Sequence, residues 1–290
     1  DQKTKGLITV HGAVLLFGLS GLFAKLITLP SIIITLGRVG FSSVFLFLLL
    51  KLTKTPMKLR EKKQYGIFAL SGVILAVHWW SFLQAIQFST VAIGTISFST
   101  FPLFVSFLDP LFTKNTIKKS QIISSLIMIC GVVVMVEEWS FRSSYTLGII
   151  CGLISAITYA LLSLLNKHYF GEYPSTLISF YEQSFAFITL LPALFIMKPV
   201  FSPQNIALLA LLGVIFTAIS HSLFISGLKN INPHTASIIS GFGEAGPMYC
   251  ERYWRNVFIL SPSRASPSGS KSRSYPSRSC SRTSSMIDSA

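Results

Sequence analysis

Apolar runs long enough to cross a hydrocarbon layer recur along almost the whole chain, and no other feature constrains the fold as strongly. Each needs roughly 20 residues to cover a layer of about 30 Å. The runs read as spans over 6–27, 31–50, 65–84, 89–108, 120–136, 146–165, 177–197 and 206–225, and a ninth begins near Pro233. Inside lipid every backbone N–H and C=O must be satisfied within the spanning element, which selects helices here because the alternation of an outer-membrane barrel is absent. Charged residues make up only 12% of the chain, against about a quarter in soluble domains. The expected fold class is therefore all-α, a polytopic transmembrane helical bundle.

A net charge of +14 raises the question of nucleic acid, but its distribution answers otherwise, and no nucleic-acid partner is expected. Seven of the 24 Lys and Arg lie after residue 240, and most of the rest sit in short connections. Lys3, Lys5, Lys51, Lys54, Lys58, Arg60, Lys62, Lys63, Lys114, Lys118, Lys119, Lys167 and Lys229 fall on one side of the alternating spans. Only Lys25, Arg142 and Lys198 fall on the other, where Glu137 and Glu138 also lie. The bias places the N-terminus in the cytoplasm of a multi-pass plasma (inner) membrane protein. Cys130, Cys151, Cys250 and Cys280 form neither a disulfide framework nor a metal spacing. The chain begins at Asp1, so a few residues are expected ahead of it. Lys3 and Lys5 precede an apolar run, but no small-residue cleavage site follows.

The chain carries a weak internal repeat at an offset of 142 residues. Lys25 falls on Lys167, Tyr65 on Ala207, and, within "STVAIGTIS" and "NPHTASIIS", Gly94 on Ala236 and Thr95 on Ser237. Five spans separate the copies, so the second copy must be inverted relative to the first, the arrangement of many secondary transporters.

Several stretches resemble the EamA-like branch of the drug/metabolite transporter (DMT) superfamily. They are "GLSGLFAKLI" with Arg38, "LQAIQFSTVAIGTISFSTFPLF" leading to "GVVVMV", "GLISAITYALLSLLNK", and "LFISGLKNINPHTASIIS". The likeness covers about residues 6–240. It implies two inverted five-helix repeats around a central cavity and a permease for amino acids or other small metabolites. Here the first repeat is read as 1–136 and the second as 146–240, the latter incomplete. The family's usual acidic residue between the fourth and fifth helices is missing from "FTKNTIKKSQ".

The stretch 241–290 breaks the pattern. The offset sets Pro102 against a proline at 244 and an apolar continuation, yet the sequence turns to "GFGEAGPMYCERYWRNVFIL". Serine then makes up 13 of the 30 residues from 261 to 290. A reading-frame shift near Gly241 explains this best. A genuine Ser/Arg-rich tail, phosphorylated or RNA-binding, and a cloning artefact are the alternatives. On each reading the tail is expected to be disordered and the tenth helix of the family plan absent.

Polar side chains within spans are costly in lipid and so mark candidate sites. Arg38 lies in span two. Glu182 and Gln183 lie in span seven, where the acid is suited to a substrate amine or a coupling proton. His78, Trp80 and Gln84 lie in span three, with Gln87 one helical step further. Thr95, Ser99, Pro102 and Ser106 form a stripe on span four, and Tyr159 and Asn166 belong to span six. His221 shares a face of span eight with Thr217 and is set against Trp79 by the offset. Gly148, Gly152, Ala156 and Ala160 recur every four residues, as for close helix packing. The expected cavity is lined by spans one, three, four, six, eight and nine.

Gly18-Leu19-Ser20-Gly21 matches the short motif of rhomboid-type serine proteases, with His78 or His221 as a base, but on the wrong helix. No Walker loop, paired-His helix or dinucleotide fingerprint is present. The expected function is alternating-access transport of a small polar solute, an amino acid or relative, in the export direction. Proton coupling is a further expectation. No catalytic residue, metal or cofactor is expected. The alternatives are an intramembrane protease using Ser20 and a non-functional truncated transporter. The partners are the bilayer and the solute, and the oligomeric state is left open.

Overall fold

The computed structural model describes residues 1–113 and 143–243, with the single positions Lys119, Ile123, Ile127 and Cys130 between them. The described residues are helical, with no strand among them. In order they are α1 (Gln2–Lys25), α2 (Ser31–Leu52), α3 (Lys62–Phe88), α4 (Val91–Phe98), α5 (Phe101–Phe112), α6 (Ser144–His168) and α7 (Ser175–Met197). There follow α8 (Pro203–Gly213), a π-helix (Val214–Ile219), α9 (Ser220–Asn230) and α10 (Pro233–Gly243). Among the described residues seven segments are long and apolar enough to span a membrane, with α4 and α5 joined as one and α8, the π-helix and α9 as another. They match the expected spans except the fifth, 120–136, which lies outside the described residues, as does the tail beyond 243. The ninth begins at Pro233, as its sequence suggested.

Prolines and caps set the boundaries. Pro30 and Pro174 precede the first turns of α2 and α7, where a missing N–H costs nothing. Thr90 and Ser202 accept the N–H groups of Ile93 and Asn205 as N-caps of α4 and α8. The break between α4 and α5 falls at Ser99–Thr100, just before Pro102, whose ring cannot continue the ladder. At the other end of the bundle, Lys167 donates to the carbonyls of Leu228, Lys229 and Ile231 at 2.8, 2.9 and 3.1 Å. It thereby satisfies the orphan carbonyls at the end of α9 with a cation, as the helix dipole favours.

Large apolar side chains point outward, as expected of a lipid-facing surface: Leu52 is 81% exposed and Ile196 80%. Inward, the small-residue stripe of α6 does what its spacing predicts. Gly148 packs on Ser89 and the Ala85 carbonyl, and Gly152 on Ser97, so that α6 seats closely on α3 and α4, while Ala156 and Ala160 are fully buried. Gly6 of α1 meets Gly227, Asn230 and Ile231 of the second half in the same manner.

Corresponding positions in the two halves touch or make matching contacts. Ser99 Oγ lies 3.0 Å from the carbonyl of Gly241, its partner 142 residues on, and the Phe17 and Tyr159 rings meet edge-on. Gln87 Nε2 donates to Leu29 O, the carbonyl before Pro30. Lys229 Nζ donates to Tyr173 O, the carbonyl before Pro174.

Candidate functional site

The helices converge on a small aromatic chamber. Phe17 from α1, His78, Trp79 and Phe82 from α3, Phe98 from α4, Tyr159 from α6 and Ser240 from α10 line it, and in this state they leave a cavity of about 10 Å³, room for about one water molecule. These helices come from both halves of the chain. His78 stacks on Tyr159 at 4.5 Å with 22° between the rings. Its Nδ1 lies 2.9 Å from Ser155 Oγ and 3.0 Å from Ser155 O, which fixes the imidazole between α3 and α6. Phe98 and Phe101 stack beyond Tyr159, and Phe224 of α9 closes its far side.

Behind the chamber lies a layer of buried polar groups that do not line it. The Arg38 guanidinium, fully buried, sits 3.5 Å above the Trp79 ring. Its Nε donates to Thr217 Oγ1 at 2.9 Å and its Nη2 to Phe216 O at 3.4 Å. The π-helix supplies both acceptors, and Thr217 in turn donates to Leu212 O, five residues back. A π-turn in a span is a common mark of a functional position. On α7, Glu182 Oε2 receives His221 Nε2 at 2.8 Å and Asn166 Nδ2 at 3.5 Å, and Glu182 and His221 are wholly buried. The neighbouring Gln183 is equally buried, and its side-chain amide finds no hydrogen-bond partner among the described residues.

The expected site residues thus separate into three groups. His78 and Tyr159 line the chamber. Arg38, Glu182, Gln183 and His221 stand behind it. The remaining four serve the helices. Trp80 is 38% exposed on the outer surface of α3, because one helical step of about 100° turns it away from Trp79. Gln84 accepts from Ser31 Oγ at the end of the bundle. Thr95 bonds back to Val91 O, and Ser99 to Thr95 O and Gly241 O. Span eight, expected to line the cavity, contributes Thr217 and His221 to the layer behind instead.

Phe17, Trp79, Phe82, Phe98 and Ser240 line the chamber without having been singled out. His78 and Phe82 stand at i and i+4, one inward stripe that was available from helical phase alone. Ser20 is buried and its hydroxyl has no partner among the described residues, while His78 and His221 are engaged by Ser155 and Glu182. No nucleophile–base pair is assembled there, and the protease alternative is not favoured. Among the described residues no cluster of His, Cys, Asp or Glu could hold a metal.

A polar vestibule of about 470 Å³ opens at the end of the bundle where α1 starts, α5 and α6 end and α10 starts. Lys3, Asp109, Lys167 and His168 line it, with His168 Nε2 3.4 Å from Asp109 Oδ1.

Two stretches of the chain, residues 4–137 and 146–243, match the EamA-like transporter family. An uncharacterized transporter of Clostridium kluyveri is 26% identical over 209 residues, covering 66% of each protein. The uncharacterized transporter YojE of Bacillus subtilis is 26% identical over 252 residues, 82% of this chain and 81% of its own. Protein RarD of Salmonella typhimurium is 25% identical over 147 residues, and the chain spans 49% of its length. A crystal structure superimposes with a TM-score of 0.66 at 14% identity, covering 90% of this chain and 91% of that one, a likeness of fold alone.

Proposed function

Because the chain belongs to the EamA-like transporter family, we propose that its aromatic chamber is the binding site of a small polar solute carried across the membrane. The observation that carries this reading is the chamber itself, where rings from both halves pack around a water-sized gap and His78, Tyr159 and Ser240 bring polar atoms to it, so that a solute enters when the helices part. The solute is an amino acid or a relative of one, moved outward by alternating access, with the N-terminus in the cytoplasm of the plasma membrane.

Two inverted repeats, 1–136 and 146–240, rock against each other around the chamber. The contacts between Ser99 and Gly241, between Phe17 and Tyr159, and the matched packing of Gly6 and Gly148 support that arrangement. Glu182 and His221 form the coupling element. A buried carboxylate bonded to an imidazole can hold one proton between them in one state and release it when water reaches the pair.

Flux of radiolabelled amino acids in proteoliposomes tests the reading. Counter-flow that appears only with the protein, and that His78→Ala weakens, is the expected result. Flux equal to that of empty liposomes for every solute tried would overturn it.

A further inference from the structure

Arg38 and Glu182 occupy the same place in the two halves. Each is the eighth residue of a helix that begins just after a proline, Pro30 for α2 and Pro174 for α7. Their partners correspond as well. Trp79 and His221 stand 142 residues apart, the separation of Ser99 and Gly241, which meet in space. Ala85 and Gly227, six residues beyond Trp79 and His221 respectively, receive Gly148 and Gly6 in matching contacts. The guanidinium on the indole and the carboxylate on the imidazole are therefore one joint built twice, tying the second helix of each half to the third.

The two versions differ in one chemical respect. The first joint is a permanent cation on a ring that does not titrate in water's range, so protons leave it unchanged. The second is an acid and a base, whose attraction disappears once Glu182 is protonated or His221 is neutral. We propose that the Arg38–Trp79 joint is the fixed counterpart of the Glu182–His221 joint, and that pH acts on the balance between the two access states through the second joint alone. Both rest on the transport reading. The titratable group facing Glu182 is His221 from α9, with Asn166 of α6 as its neutral partner, and His221 in turn interacts electrostatically with His78 of α3, which also feels Arg38 of α2. Of the charged or titratable groups, only His221 shares a bond with the carboxylate. Trp79 and His221 act as positioning residues, since each works through the charge it holds.

Accessibility of the two ends of the bundle tests the assignment without requiring flux. Cys130, Cys151, Cys250 and Cys280 are replaced by Ser in the full chain. A single cysteine is then placed at Tyr145→Cys or at Thr235→Cys, near opposite ends of the path, and its maleimide labelling is followed from pH 5 to 8 in proteoliposomes. In the parent, labelling at the two ends shifts reciprocally with pH. Glu182→Gln flattens both profiles, Glu182→Asp restores them in part, and Trp79→Phe moves the balance by the same factor at every pH. A pH response retained in Glu182→Gln, or lost in Trp79→Phe, overturns the proposal. Should Glu182→Gln fail to fold, His221→Asn takes its place with the same two outcomes. Flat profiles in the parent also overturn it, while leaving the transport reading to the separate measurement of solute counter-flow.

Discussion

The chamber and the layer behind it are built from different materials, although they share Trp79. The chamber is nearly all rings, with the His78 and Tyr159 stack at its wall and little that can carry charge. The layer behind is ionisable and tightly bonded, with Arg38 on Thr217 and Glu182 on His221, and offers no space for a solute. In a membrane span every polar group is costly, and on the transport reading proposed above the difference separates two tasks. Rings supply contact area and shape at low entropic cost, while charges placed out of reach of the solute hold helices together and respond to protons.

The comparison can be broken most sharply at Arg38. Arg38→Ala removes the cation over Trp79 and two hydrogen bonds to the π-helix, at a cost of about 3 kcal/mol. A fall in the melting temperature of the detergent-solubilised protein is the expected sign, and an unchanged value would show that the layer is not structural. Glu182→Gln keeps the shape of the side chain and loses its charge, at about 1–2 kcal/mol. Solute affinity stays as in the parent while the pH dependence of flux disappears. If affinity falls instead, the layer behind belongs to the binding site after all. His78→Ala removes the stack on Tyr159, worth about 1 kcal/mol, and raises the half-saturation concentration about fivefold with little change in melting temperature. Trp80→Leu alters a lipid-facing position, and both readouts stay within about 0.5 kcal/mol of the parent. A larger effect there would mean that the outward placement of Trp80 is wrong.

Much of the architecture was legible in the sequence because lipid imposes it. Span positions follow from length and apolarity, and the Gly148–Ala160 stripe announced its close packing. The site was legible only in part. Intramembrane polarity drew attention to Arg38, Glu182 and His221, and these prove to be buried and mutually organised. But polarity cannot tell a wall from what stands behind it. Trp80, Gln84 and Gln87 share one face at i, i+4 and i+7, which suggests a mixed stacking and hydrogen-bonding surface, whereas the two amides bind Ser31 and Leu29 at the helix end. Aromatic lining residues such as Phe17 and Phe98 resemble any core residue until the helices are assembled. Lys167 and Lys229 count in the sequence toward sidedness, and Lys167 toward the repeat, while in the structure both also hold carbonyls at the ends and connections of helices.

The π-helix sets the register of the helix that carries His221. Glu61 and Ser202, the N-caps of α3 and α8, are one residue closer in sequence than Trp79 and His221 are. The wide turn at Val214–Ile219 takes up that single extra residue. A helix keeps angular phase, and one added residue would swing everything after it by about 100° unless a wider turn absorbs it. Deleting Ile215, which faces outward, would let the turn tighten while His221 keeps its heading toward Glu182. The same deletion would remove the slack that presents Phe216 O to Arg38. An insertion that most membrane helices could not tolerate has here become the socket that receives a cation from the other half.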